Sequence, residues 1–174
     1  MGWFSGLIGK IAGGPPSGVT LDYSKAHWML EGKSSFVKFL PALEKILSDD
    51  CVLYFEGGYY RGKLEKFLKA HSVTSPLNIA VGTLWPKPEC FHIPATKENI
   101  SVLVELCSGL ADAELAIHFH VYRHGRVILE WHDAFWEPVI LADEIGESEI
   151  REFADSLGFS CCVCQDAHSE RDKE

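Results

Sequence analysis

The chain has 174 residues, of which 47% are hydrophobic and 24% charged, and this is the composition of a folded globular domain rather than a disordered chain. A formal net charge of −9, without a stripe of basic residues, argues against a surface that binds nucleic acid or an anionic membrane. No apolar run approaches the roughly 20 residues that span a bilayer, so the sequence predicts no transmembrane segment.

Residues 1–18 are predicted to be an N-terminal amphipathic segment followed by a glycine- and proline-rich linker, GGPPSG, at residues 13–18. Five apolar residues recur in it at helical spacing: Trp3, Phe4, Leu7, Ile8 and Ile11. One interpretation is an arm, residues 3–11, that docks on a membrane or a partner. A terminal helix that packs on itself or frays is favoured, because Lys10 is the segment's one lysine.

The start of the chain also lacks the basic region that opens a signal peptide. Six cysteines without an export signal are typical of reduced thiols, and we therefore expect a cytoplasmic protein. The polar run at residues 165–174 is predicted to be a solvated tail.

Residues 19–164 are predicted to form a single α+β domain, because strand and helix patterns alternate along them. Strand candidates are residues 18–23, 51–58, 77–86 and 137–142, and the last is predicted at a sheet edge because Pro138 delimits it. Helix candidates are residues 34–50, 62–71, 96–109 and 147–158. A C-terminal β-hairpin precedes the last helix, and a hairpin is antiparallel. The sheet is therefore predicted to be mixed or antiparallel, with helices packed on it.

The hairpin stretch AIHFHVYRHGRVILEWHDAF, residues 116–135, contains four of the eight histidines. A two-residue loop, His124-Gly125, would mix polar and apolar side chains on both faces of the hairpin. A three-residue loop, Arg123-His124-Gly125, would place Val121 opposite Val127 and produce one apolar face. Because register follows the hydrophobic pattern, we predict the three-residue loop.

The other face of the predicted hairpin is rich in potential ligands. It collects Glu114, His118, His120, Glu130 and His132, with Tyr122 and Ile128 at the turn end. Three imidazoles and two carboxylates suit zinc or another first-row divalent metal, and they equally suit acid–base chemistry. We therefore name the three histidines as metal candidates and the two glutamates as catalytic candidates. A plain polar face exposed to water is the competing interpretation, since the stretch lacks a fixed motif such as H-E-x-x-H.

A second candidate metal site lies near the C-terminus. The spacing Cys161-x2-Cys164-x3-His168 supplies three potential zinc ligands, although no second ligand pair is near in sequence. The alternative is a short apolar strand of cysteines that ends the fold.

Two hypotheses of function follow from these patterns. The first is a small acidic protein that binds or regulates another protein through an acidic surface bearing aromatic side chains. The second is a metal-dependent, hydrolytic enzyme built on the 114–134 hairpin, with Glu130 or Glu114 orienting a ligand or acting as base. No organic cofactor is assigned, because the chain has no dinucleotide fingerprint, EF-hand loop or serine nucleophile motif.

Overall fold

Seven antiparallel strands form one sheet in the computed structural model, which describes residues 20–74 and 88–164. The strands are His27–Glu31 (β1), Val52–Glu56 (β2), Cys90–Pro94 (β3), His118–Arg123 (β4), Arg126–Trp131 (β5), Val139–Ala142 (β6) and Ser160–Cys164 (β7). Their order across the sheet is β3-β2-β4-β5-β6-β1-β7, and every recorded strand pair is antiparallel. The α+β class and the antiparallel sheet predicted from the sequence are confirmed.

Helices pack on one face of this sheet through their apolar stripes. They are Phe36–Glu44 (α1), Gly62–His71 (α2), Lys97–Cys107 (α3), Asp112–Leu115 (α4) and Glu147–Leu157 (α5). Thr96 caps α3 by accepting a hydrogen bond from the Asn99 N–H at 3.2 Å, and α5 ends at Gly158, where φ is +72°. Among the described residues, no helix combines the length and apolar character that crossing a membrane requires.

The core lies between the helices and alternate residues of the strands. Its centre is aromatic: the Phe36 and Phe119 ring centroids are 5.2 Å apart, and those of Phe39 and Trp131 are 4.5 Å apart. Phe39 and Phe119 are fully buried. Aromatic pairs at these spacings add to the stability that burial provides.

The turn between β4 and β5 is the two-residue loop, so the predicted three-residue loop is wrong. His124 and Gly125 have φ of +48° and +81°, the left-handed values that the favoured two-residue hairpin turn requires at both positions. Tyr122 accordingly pairs with Val127.

A β-bulge at Ile128 then shifts the register of the hairpin. Val121 pairs with Leu129 and His120 with Glu130, which leaves Ile128 as the extra residue of β5. The bulge restores the apolar face predicted for Phe119 and Val121. Val127 and Ile128 exchange their predicted faces, because Ile128 packs in the main core whereas Val127 packs in a smaller buried cluster on the opposite face.

Other boundaries also differ from the sequence prediction. Residues 20–23 are not a strand, and β1 begins instead at His27. Strand β3 lies in a stretch for which no strand was predicted, and β6 is internal to the sheet rather than at its edge. Three predicted segments lie outside the described residues: the strand candidate at 77–86, the N-terminal segment at 1–18 and the tail at 165–174.

Candidate functional site: a histidine and carboxylate cluster

The face of the sheet opposite the main helical core, called here the polar face, carries a row of side chains that crosses all seven strands. The row is His92, Tyr54, His120, Glu130, Ile140, Met29 and Cys162, in the order of the strands from β3 to β7. Side chains of a strand alternate between faces, so His118 and His132 join the same face beside this row. Four histidines, His92, His118, His120 and His132, therefore share one face of the sheet with the carboxylate of Glu130.

The three predicted metal candidates do meet on the polar face. His118 Nδ1 lies 3.0 Å from His132 Nδ1, and the His120 ring centroid lies 5.0 Å from that of His132. His118 and His120 come from β4, and His132 directly follows β5. We refer to these three side chains as the histidine cluster.

His120 is the buried member of the cluster. Its exposed fraction is 0%, and neither ring nitrogen has a hydrogen-bond partner among the described residues. Its Nδ1 lies 4.0 Å from Glu130 Oε1, which is too long for a hydrogen bond. Burial lowers the pKa of His120 to about 3. The charge of Glu130 opposes this effect, and repulsion from His132 and His118 when they are protonated adds to it. His120 is therefore neutral at pH 7.

His118 is half-buried, and its pKa is also lowered. Burial is the main cause and His132 the second, while Glu56 and other nearby carboxylates act in the opposite direction. With Nδ1 atoms 3.0 Å apart, His118 and His132 can share one proton between them, or both lone pairs can face one cation.

Glu130 is a fully buried carboxylate that several donors hold in place. Its Oε1 accepts hydrogen bonds from the Leu21 N–H at 2.8 Å and from Thr20 Oγ1 at 3.0 Å. Its Oε2 accepts from Tyr23 Oη at 2.5 Å and lies 3.4 Å from His132 Nε2. Burial alone would raise the pKa of Glu130, but hydrogen bonds from His132, Tyr23 and the Leu21 N–H lower it to about 2. Such a carboxylate orients its neighbours rather than serving as a free base.

Glu56 is a second carboxylate at the cluster that sequence reasoning missed. It pairs with His118 across β2 and β4, and only 4% of it is exposed. Tyr54 Oη donates to Glu56 Oε2 at 2.5 Å. The pKa of the Tyr54 hydroxyl is raised, mainly by burial and then by its hydrogen bond with Glu56. The pairing of β2 with β4 joins residues distant in sequence, and no local pattern reveals it.

Glu114, the other predicted catalytic candidate, is not part of the cluster. It lies in α4, before β4 begins, and its carboxylate accepts a hydrogen bond from the Ala111 N–H at 2.8 Å. Its role in the described structure is to close the first turn of this short helix.

The cysteines of β7 are also divided between faces. Cys161 pairs with Leu30 and packs against the core, whereas Cys164 pairs with His27 on the polar face. Cys161 and Cys164 therefore point to opposite sides of the sheet, and His168 lies outside the described residues. Residues 160–164 do form the short strand that was the alternative interpretation.

A left-handed turn, Asp133–Phe135, directly follows His132. Its three residues have φ of +50°, +53° and +68°, and none is glycine. The left-handed conformation costs roughly 1–2 kcal/mol for each such residue. Phe135 stacks on Phe36 with ring centroids 4.8 Å apart, and the Ala134 N–H donates to the Ile117 carbonyl at 2.9 Å. Backbone strain of this kind is concentrated at functional sites, and here it adjoins the histidine cluster.

Across residues 20–74 and 88–164, no three histidine, cysteine, aspartate or glutamate side chains are already arranged to hold a metal ion. Metal binding at the histidine cluster would therefore require its imidazole rings to rotate. No protein-family model, curated protein or solved structure matches this chain.

Proposed function

We propose that this chain is a metal-binding protein that holds one first-row divalent ion, zinc above all, at the histidine cluster. The observation that carries the proposal is His120, a fully buried imidazole whose two nitrogens lack a partner among the described residues. Buried polar atoms are nearly always partnered, so a buried imidazole without a partner is a candidate ligand. Its neutral state at pH 7 provides the lone pair that a metal requires.

The orientation of His132 supports the same proposal. A carboxylate accepts hydrogen bonds, so the 3.4 Å contact with Glu130 favours the tautomer with the proton on His132 Nε2. The lone pair of His132 then lies on Nδ1, which faces Nδ1 of His118 at 3.0 Å. Two ligand nitrogens on a tetrahedral zinc ion, each bonded at about 2.0–2.1 Å, are about 3.3 Å apart. Carboxylate–histidine–metal contacts of this type orient ligands in known zinc sites.

Three histidine ligands leave one position of a tetrahedral ion for water or substrate, as in catalytic zinc sites. This supports the hydrolytic enzyme as the form of activity to test, because a bound metal lowers the pKa of its water. In such an enzyme Glu130 would hold His132 in position, and Glu56 would be the further carboxylate next to His118.

The test is thermal unfolding with and without zinc and EDTA, together with elemental analysis of protein purified without a histidine tag. We expect one zinc per chain and a stabilisation of about 2.7 kcal/mol when free zinc is 100 times its Kd. EDTA should reverse the stabilisation. The His118→Ala/His132→Ala variant should bind no zinc, although it retains the buried His120.

The matched control is His124→Asn, which removes a histidine from the exposed turn of the same hairpin and keeps a residue that tolerates positive φ. It should respond to zinc as the native chain does. Equal zinc responses of the native chain and the double variant would overturn the proposal, as would the absence of any zinc response between pH 6 and 8.

Binding of another protein is the second candidate function, and one observation favours it. Trp136 is 80% exposed, beside the histidine cluster's left-handed turn, with Lys33 Nζ 5.4 Å from its ring centroid. Tryptophan is enriched at protein interfaces. A partner recovered with the native chain should be lost with Trp136→Ala and kept with Tyr59→Ala, which removes an exposed aromatic ring elsewhere.

A reducing compartment such as the cytoplasm is part of this proposal. All six cysteines are free thiols, which supports it. Mass spectrometry after rapid alkylation in cells should find six modified cysteines, and a disulfide-linked pair would contradict the assignment.

A further inference from the structure

Strand β7 places two cysteines on the polar face, at an edge of the sheet away from the histidine cluster. Cys162 and Cys164 are two positions apart on the strand and therefore share a face, while Cys161 points into the core. Across the strand pair, Met29 lies opposite Cys162 and His27 lies opposite Cys164. Two thiols, a thioether and an imidazole are thus collected on adjacent strands.

The two thiols are close to each other and can be reached from solvent. Cys162 is exposed and Cys164 half-buried. The pKa of Cys164 is raised, first by its burial and then by the charge of Cys162 and a hydrogen bond with it. Residues two apart on a strand have Cα atoms about 6.6 Å apart, near the upper limit for a disulfide. The extended strand therefore favours two free thiols over a disulfide.

His27 has one ring nitrogen that is oriented by the backbone and a second that can bind a metal. Its Nδ1 lies 3.1 Å from the carbonyl oxygen of Lys25. A carbonyl only accepts, so the proton is on Nδ1 and the lone pair of the neutral ring is on Nε2. A backbone hydrogen bond of this type fixes the tautomer of metal-binding histidines.

We propose that Cys162 and Cys164 bind one Cu(I) ion, with Met29 and His27 as neighbouring donors. Thiolate and thioether ligands are soft, and Cu(I) is among the ions that such ligands select. On binding, each thiol releases its proton and forms one Cu–S bond, and the oxidation state of copper does not change. Two thiolates are a sufficient ligand set for Cu(I), so the site does not depend on a third converging side chain.

The copper site and the histidine cluster are separate. Strands β6 and β1 lie between β5 and β7, which places Cys162 about 14 Å from Glu130 along the row at the usual strand spacing. Copper binding can therefore be tested independently of zinc binding.

The test is anaerobic competition for Cu(I) between the full chain and a chromophoric Cu(I) chelator, bicinchoninate. We expect the native chain to remove one Cu(I) per chain from the chelator. The Cys162→Ser/Cys164→Ser variant should bind it about 100-fold less tightly, because both soft ligands are replaced by hard ones. His27→Ala should weaken binding by about 10-fold, the size of effect that loss of a supporting group has at metal sites.

Cys161→Ser is the matched control, since it changes a cysteine of the same strand that points to the other face. It should keep the native affinity, as should His118→Ala/His132→Ala. If the double cysteine variant does not fold, Cys162→Ser alone replaces it, because that side chain is exposed. Equal affinities of the native chain and the cysteine variants would overturn the proposal, and so would an equal loss in Cys161→Ser.

Discussion

Glu130 joins two parts of the molecule that are distant in sequence. Its carboxylate accepts hydrogen bonds from Thr20, Leu21 and Tyr23, which precede β1, while Glu130 itself belongs to the hairpin. A buried carboxylate is costly unless such donors surround it. The segment before β1 is therefore held on the polar face by the same residue that orients His132.

Tyr23→Phe should destabilise the fold by about 1.5–3 kcal/mol, the usual contribution of a hydrogen bond to a charged group. The change removes only the hydroxyl that lies 2.5 Å from Glu130 Oε2. Urea denaturation measures the loss. Tyr59→Phe is the control, because 56% of that side chain is exposed, and equal midpoints for the two variants would contradict the prediction.

Ala134→Gly should stabilise the protein by about 1 kcal/mol, because glycine adopts the left-handed conformation without the steric cost that alanine has. Ala134 has φ of +53° and ψ of +42°. The thermal midpoint measures the gain. Ala111→Gly is the control at an ordinary φ of −76°, where glycine should give no gain. A loss of stability in Ala134→Gly would show that the turn is not strained.

At the scale of elements, the hairpin shows which features a sequence pattern predicts and which it does not. The alternation of apolar and polar residues predicted the faces of Phe119 and His120 correctly. It did not predict the loop, because a two-residue turn combined with a bulge gives the same alternation as a three-residue turn. The pairing of Glu56 with His118 and the strand β3, which ends at Pro94, could not be predicted, because both depend on contacts distant in sequence.

Phe119→Ala should destabilise the fold by about 3–5 kcal/mol, the range for emptying a buried aromatic site. Phe119 is fully buried against Phe36 and Phe39. Val163→Ala on the edge strand is the control, since 43% of that residue is exposed, and it should cost much less. Chemical denaturation that ranks the two variants in the opposite order would show that the hairpin faces are assigned wrongly.

At the scale of the whole molecule, the polar face holds neutral histidines inside a chain with a net charge of −9. The pKa values of His92, His118 and His120 are all lowered, in each case mainly by burial. Each of these side chains binds a proton more readily in the unfolded chain than in the folded one. Acid therefore favours unfolding, although the overall negative charge decreases at the same time.

The free energy of unfolding should fall as the pH drops below about 6.5, the unfolded pKa of histidine, toward the lowered folded values. His120 should contribute a slope of up to about 1.4 kcal/mol per pH unit in this range. Glu130, with its pKa lowered to about 2, should add a further loss below about pH 4.5. Urea denaturation from pH 7.5 to 4.5 measures the slope.

His120→Asn should reduce this slope whatever its effect on stability at pH 7, because asparagine does not titrate. His124→Asn, on the exposed turn, should leave the slope unchanged. A native chain whose stability is constant between pH 7.5 and 4.5 would contradict the assignment of neutral, buried histidines.

The bulge at Ile128 has a consequence for comparing this chain with relatives that differ in length. A chain with one residue fewer in β5 could pair Val127 with Tyr122 and Leu129 with Val121 directly, since Ile128 has no partner in that register. Both faces would be preserved, including the contact between His120 and Glu130. An alignment gap in such a relative therefore belongs at Ile128. Placing it in the His124-Gly125 turn would shift the residues between the turn and Ile128 by one position, and the core position Ile128 would then be aligned with a residue of the polar face.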